Sequence, residues 1–285
     1  MSTLRVDGRY DVAGVTAVED FVALRAEWED LLTRCPRATP FQTFEWQWSW
    51  WTALGHGRRL FIVTVRESGG ALVALAPLMI SRRSGLRVVE FLGTGLSDYL
   101  DVIVAGPPEG MVGHVFDHLL RHRAWWDVAC LQTPDTALAS AGEVRRVAAE
   151  RGLRVRCRVY EIAPFLAIGG TWDDFVKGKS KKFRYALRER LARFAAQEGA
   201  TFRRIEGADV DADLAAPIWE IERHSWKAHA GTAPMRSPRV REFYGQMLAA
   251  FGTRGWAHVW LAYLRERPIA YVLDFVFEEK VRQPW

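Results

Sequence analysis

Between Arg58 and Gly93 the apolar residues come in runs and alternations, not at helical spacing. Three strands are predicted there: RRLFIVTVRE (58–67), ALVALAPLMISRR (71–83) and LRVVEFLG (86–93). Ser68-Gly69-Gly70 supplies the turn between the first two. Upstream, YDVAGVTAV reads as a strand and VEDFVALRAEWEDLLTRC as an amphipathic helix with Phe21, Leu24, Trp28 and Leu31 on one face. FQTFEWQWSWWTALG reads as a second helix closed by Gly55. After the loop TGLSDYLDVIVAG come the helix PEGMVGHVFDHLLRHR, the strand WDVACLQ, the helix ALASAGEVRRVAAERG and the strand LRVRCRVYEI.

Gly169-Gly170 punctuates this pattern, and it begins again. A basic helix over about Thr171–Glu198 precedes the strand TFRRIEG. The helices DADLAAPIWEIERHSWKAHA and SPRVREFYGQMLAAFGTRG follow, then the strands WAHVWLAYLRER and PIAYVLDFVFEE. The first half is β-α-α-β-β-β-α-β-α-β and the second β-α-α-β-β, the opening of the same series. The expected fold class is α/β: two modules of mixed sheet flanked by helices. The first, 9–168, is complete; the second, 169–285, is incomplete and begins with the basic helix.

Composition narrows the class. A chain of 285 residues, 49% of them hydrophobic, can bury one large core or two ordinary ones. The longest apolar run, Ala71–Ile80, is well short of the ~18–20 residues of a membrane span. No integral membrane segment is predicted. The first residues have no signal-peptide character, and a soluble, cytoplasmic protein is expected. Cys35, Cys130 and Cys157 are far apart and read as reduced core thiols. His114, His118 and His122 recur every four residues and read as a partly exposed helix face; no metal site is predicted. The net charge of +5 favours anionic partners.

Four groups of residues are candidates for chemistry. Glu220 and His224 are i, i+4 neighbours on a predicted helix, with Glu222 between them and Trp226 at the helix end. A carboxylate beside an imidazole can deprotonate an attacking ammonium, so Glu220 and His224 are the catalytic candidates. A solvated face with one ordinary helix pair is the plain alternative. Asp98, Tyr99 and Asp101 lie in a loop entering a strand, where acidic groups can receive a cationic amine or sugar hydroxyls. Trp46 and Trp226 offer aromatic faces for a sugar or base; a core role suffices for most of the tryptophans around Trp46. On the basic helix, Phe183, Leu187, Leu191 and Phe194 fall within roughly 80° of arc. Lys181, Arg184 and Arg188 share an adjoining face, a candidate anion site for a substrate, tRNA or membrane phosphates. Such a helix can dock between the modules with its cations outward.

FQTFEWQWSWW, APLMI and EFLGTGLSDYLDVIV resemble the amino-terminal half of tandem-GNAT acyltransferases, the family of CelD-type cellulose-biosynthesis and FemAB-like proteins. SKKFRYALRERLARFAAQEGATFRRI and SPRVREFYGQMLAAFGTRGWAHVWLAYLRERPIAYVLDF resemble the start of that family's catalytic GNAT domain. The resemblance implies an N- or O-acetyltransferase with acetyl-CoA or another acyl-CoA as co-substrate. It also implies a small-molecule or saccharide acceptor, a sugar or amine of a cell-envelope polysaccharide pathway. In the family the second module continues past the position of Phe277 into the segment that binds the cofactor. EEKVRQPW does not resemble that continuation. The chain is therefore expected to be truncated in its second module, with its cofactor-binding residues unassigned and its activity as an enzyme uncertain. Two other readings stand beside this one. One is a FemAB-like aminoacyl-tRNA-dependent transferase. The other is a non-catalytic binding or scaffold fragment that forms a homodimer through an open sheet edge at Phe275–Trp285.

Overall fold

Two residues, Phe61 and Pro77, divide the amino-terminal half between two sheets. In the computed structural model the described residues are all except 1–2, 7, 108, 133–139, 160–165, 167–168, 232–233, 278–279 and 283–285. Strands β1 (Thr3–Val6) and β2 (Tyr10–Val15) precede helices α1 (Val18–Ala23), α2 (Arg25–Thr33) and α3 (Phe44–Leu54). The expected first helix is thus two, parted at Leu24. The first predicted strand of the apolar stretch is also two, β3 (Arg59–Leu60) and β4 (Ile62–Glu67), and the second divides into β5 (Leu72–Ala76) and β6 (Leu78–Arg83). Pro77 has no N–H for a ladder, which ends β5 and lets the chain cross to the other sheet. At this crossing the Phe61 N–H donates to the Leu78 carbonyl at 3.0 Å and the Leu92 N–H to the Pro77 carbonyl at 2.8 Å.

Strands β7 (Leu86–Phe91) and β8 (Ile103–Val104) follow, then α4 (Met111–Arg121), β9 (Val128–Ala129) and α5 (Ala141–Glu150). One sheet runs β1-β2-β4-β5-β8 and is antiparallel throughout; the other runs β3-β6-β7-β9, with β7 and β9 parallel.

Three expectations for this half are corrected. Leu153–Val159 forms no strand, and Val155, Cys157 and Val159 are exposed, because the segment has no strand to pair with among the described residues; residues 160–162 of that prediction lie outside the described residues. Of the cysteines only Cys35 is buried, while Cys130 and Cys157 are exposed, so two of the three are not core thiols. The histidine row is not a partly exposed face throughout. His118 is buried against Phe61 and His122, and burial lowers its pKa to about 4, helped by the charges of His122 and Arg121. Gly14 makes the room, because a Cβ there would lie 2.7 Å from His118 Nε2.

The second half contains α6 (Trp172–Lys177), α7 (Lys181–Ala195), β10 (Ala200–Glu206), α8 (Ala215–Glu222), α9 (Trp226–His229), α10 (Pro238–Arg254), β11 (Ala257–Leu264), β12 (Arg267–Phe277) and β13 (Lys280–Arg282). The predicted β-α-α-β-β order is changed in two places: its first helix is broken into α8 and α9, parted at residues 223–225, and β13 is added. Gly178 closes α6 and Ser180 caps α7 by accepting the Phe183 N–H at 3.2 Å, so the basic helix is two helices. The sheet runs β10-β11-β12-β13, antiparallel, and the left-handed pair Arg265-Glu266 turns the β11–β12 hairpin. Phe275 and Phe277 are paired to Arg282 and Lys280, so the edge of this sheet is β13 and not β12.

One hydrophobic core passes through both halves. The Trp46 ring on α3 meets Phe243 and Phe251 on α10 at 5.0 and 6.0 Å, and Phe275 on β12 at 5.5 Å. At the rim of this seam Arg254 donates to Glu45 at 2.7 Å and to Glu29 at 2.5 Å, and Arg25 reaches the same Glu45 at 2.9 Å. The protein is a mixed α/β fold of several sheets flanked by helices.

Candidate acceptor site of the carboxy-terminal sheet

Helix α8 has two faces. Ile218 and Glu222 are i, i+4 neighbours and both are buried. A buried carboxylate needs donors, and Glu222 has two. The Tyr271 hydroxyl on β12 donates to its Oε1 at 2.8 Å, and the Met235 N–H donates to its Oε2 at 3.3 Å. Burial raises the Tyr271 pKa, and the charge of Glu222 raises it further, so the phenol keeps its proton and remains a donor. Arg241 on α10 holds the short turn around Met235, donating to the carbonyls of Met235 at 3.0 Å and Arg236 at 3.3 Å. Its guanidinium lies 4.7 Å from the Trp219 ring. Two helices and a strand thus converge on one carboxylate.

Glu220 lies on the opposite side of α8 and is half-buried, while the exposed His224 lies in the turn after the helix and Trp226 opens α9, so the predicted helix does not carry all three. Glu220 and His224 do come together: His224 Nδ1 is 2.8 Å from the Glu220 carbonyl and 3.6 Å from its carboxylate. The carboxylate, however, is held by Arg223 at 2.5 and 2.8 Å, which keeps it below the usual carboxylate range. A carboxylate so held is a weak base. Trp226 is exposed.

Asp98, Tyr99 and Asp101 divide by depth. Asp98 is exposed, and Tyr99 is half-buried with its ring 6.0 Å from Phe41. Asp101 is buried; it accepts from the Val102 N–H at 2.8 Å, the Ser140 N–H at 3.1 Å and the Ser140 hydroxyl. Burial is the larger influence and raises its pKa despite those bonds. Its observed bonds join the loop to the start of α5. Trp46 is fully buried, and its indole N–H donates to Ser97 Oγ at 2.8 Å. The structure therefore brings Trp46 to the 97–101 loop. It connects both to β12, since Phe275 under Trp46 and Tyr271 at Glu222 are four residues apart, roughly 13 Å along one strand.

Lys181, Arg184 and Arg188 are on α7, which has no buried residue. The helix does not dock between the two halves; its ring contact is Phe194 with Phe202 on β10, 4.4 Å between centroids. Arg184 turns back to the carbonyls of Lys177 and Lys179, at 3.1 and 2.5 Å.

Glu222 was the residue left out of the sequence-based site. The signal was present: a carboxylate in phase with the apolar position Ile218, where a polar group is unusual unless it is partnered. Among the described residues no group of three or more His, Cys, Asp or Glu is placed to hold a metal ion. Nor is any described helix long and apolar enough to cross a membrane.

Comparison with known proteins gives three findings. No curated protein matches the chain. One matching solved structure is that of a fungal multi-domain GH3 β-N-acetylglucosaminidase, described as having a GCN5-related glucosamine N-acetyltransferase region. It is 13% identical with a TM-score of 0.36, over 97% of this chain and 29% of that one, a distant likeness only. Residues 181–282 match the family model of the acetyltransferase (GNAT) domain. The matched segment spans α7 to α10 and the sheet β10–β13.

Proposed function

We propose that the protein is an acyl-CoA-dependent N- or O-acyltransferase, with acetyl-CoA as the donor and an amine or sugar of a cell-envelope polysaccharide pathway as the acceptor. The observation that carries this reading is the GNAT domain match over 181–282, which spans α7 to α10 and the sheet β10–β13. In the reaction the acceptor nitrogen or oxygen attacks the thioester carbon and the C–S bond breaks. CoA leaves as the thiol, carrying one proton the acceptor gives up; an amine that arrives protonated loses its other proton to solvent before it attacks. Most of the rate in such a transfer comes from positioning.

On the acceptor side, Glu222 is the group best placed to attract a protonated amine. It is a buried carboxylate held by neutral donors, and it has no ion-pair partner among the described residues. The seam from Trp46 to the 97–101 loop supplies the rigid wall behind β12.

The test is a thermal-shift titration with acetyl-CoA, followed by thiol release in the presence of amino sugars and their N-acetylated forms. Saturating donor, at 100 times its dissociation constant, is expected to add about 2.7 kcal/mol to the folded state. Thiol release with the free amines alone marks transfer to nitrogen, and release with the acetylated forms as well marks transfer to a hydroxyl. No shift together with no thiol release overturns the proposal.

A further inference from the structure

Helix α7 is fifteen residues long and buries none of them. Helices in folded proteins draw most of their stability from the packing of an apolar face, and α7 has such a face with little upon it. Phe183 and Leu191 are 43% and 52% exposed, and Leu187 and Phe194 are half-buried. The cations flank this stripe on both sides. At 100° per residue Arg184 and Arg188 border one edge, and Arg190, Arg193 and Lys182 lie beyond the other.

These charges are largely uncompensated. Lys181, Lys182, Arg188 and Arg190 have no ion-pair partner among the described residues, and Glu189 is taken by Arg193. The wider segment 171–206 holds ten basic and five acidic residues, a net +5, which equals the net charge of the whole chain. The remaining 249 residues are neutral in sum. Next to this helix Trp172 on α6 is 62% exposed and stacks on Phe175 at 5.7 Å, and the Arg184 bonds fix α6 to α7.

We propose that α7 with α6 is a peripheral membrane-binding face whose partner is an anionic phospholipid bilayer surface. Charge complementarity calls for a negative partner, and the stripe between the cations calls for one that also takes aliphatic side chains. A bilayer surface does both: phosphates meet the flanking Lys and Arg while Phe183, Leu187 and Leu191 enter the acyl boundary. A nucleic acid would satisfy the cations and leave Leu187 and Leu191 in water. A second copy docking by this same face would set two strongly basic helices against each other. Indole rings such as that of Trp172 favour the headgroup level.

Co-sedimentation of the full chain with phosphatidylcholine vesicles, with and without phosphatidylglycerol, tests this. Binding is expected to the anionic vesicles, to be weak with the neutral ones, and to fall as salt is raised. Phe183→Ser with Leu191→Ser should lower partitioning about tenfold or more at unchanged salt, with the melting temperature showing that the variant is folded. Lys182→Glu with Arg188→Glu is an independent variant, expected to abolish the preference for anionic lipid. Three results overturn the proposal. They are equal binding to neutral and anionic vesicles, anionic binding untouched by the Phe183/Leu191 pair, and a preference for structured RNA over anionic vesicles at the same salt.

Discussion

Helices α3 and α7 both carry aromatic and aliphatic side chains at helical spacing, and their fates are opposite. Seven of the eleven residues of α3 are buried, and none of the fifteen of α7. On α3 the ring of Trp46 meets α10 and β12, and the acidic residue Glu45 is closed in beneath Arg254 and Arg25. On α7 the stripe meets Phe202 at one end, and most of its cations face water. Spacing says which face of a helix is apolar. What lies against that face is decided by elements distant in sequence, here nearly two hundred residues away for α3.

The largest expected effect tests the covered helix directly. Trp46→Ala should destabilise the protein by about 3–5 kcal/mol, since it opens a cavity among Phe41, Phe243, Phe251 and Phe275. Phe183→Ala should change stability by no more than about 0.5 kcal/mol. Urea unfolding measures both, and similar values for the two would break the comparison. A second covered face, that of α4, should report through pH. His118 takes up a proton at about 4 when folded against an ordinary value of 6.5, so the unfolded chain binds more protons between these values. This contribution to stability falls as pH drops through 6.5 and levels off near 4, by up to about 3 kcal/mol. His118→Leu should flatten that part of the profile. Gly14→Ala should cost about 1–3 kcal/mol by overpacking the same imidazole. Most of that loss should disappear when His118→Ala is added, because the two positions share one contact.

The sequence was most legible where local chemistry was strong. Periodicity with the cap at Gly55 placed α3, and periodicity placed α10; Trp46 and Trp50, one turn apart on α3, are both buried, as a core role for that cluster requires. The division of the apolar runs at Phe61 and Pro77 was hidden, because strands in either sheet have the same alternation. Only Pro77 marked a place where a ladder must stop. Leu153–Val159 alternates as a strand should, but alternation needs a neighbour to pair with, and no described strand pairs with it. The candidate site divides in the same way. Helix α8 was found, and the pair Glu220 with His224 stood out by charge. Glu222 depends on Tyr271, forty-nine residues on, and its role as a buried acceptor appears only when β12 is folded against α8.

Ion pairs give the finest test of the contrast between the two helices. Arg254 bridges α10 to Glu45, whose side chain is only 4% exposed, whereas Arg193 and Glu189 pair along the open surface of α7. Arg254→Ala leaves Glu45 with Arg25 alone, and the loss should be about 1–3 kcal/mol, the range for a buried polar group that loses a partner. Arg193→Ala should cost about 0.3–0.5 kcal/mol in low salt and less in high salt, since both groups are hydrated in the folded and unfolded chain alike. Measured by urea unfolding at two salt concentrations, the Arg254 effect should persist while the Arg193 effect fades. If both faded together, Glu45 would be as accessible to solvent as Glu189, and the seam between α3 and α10 would be open to water.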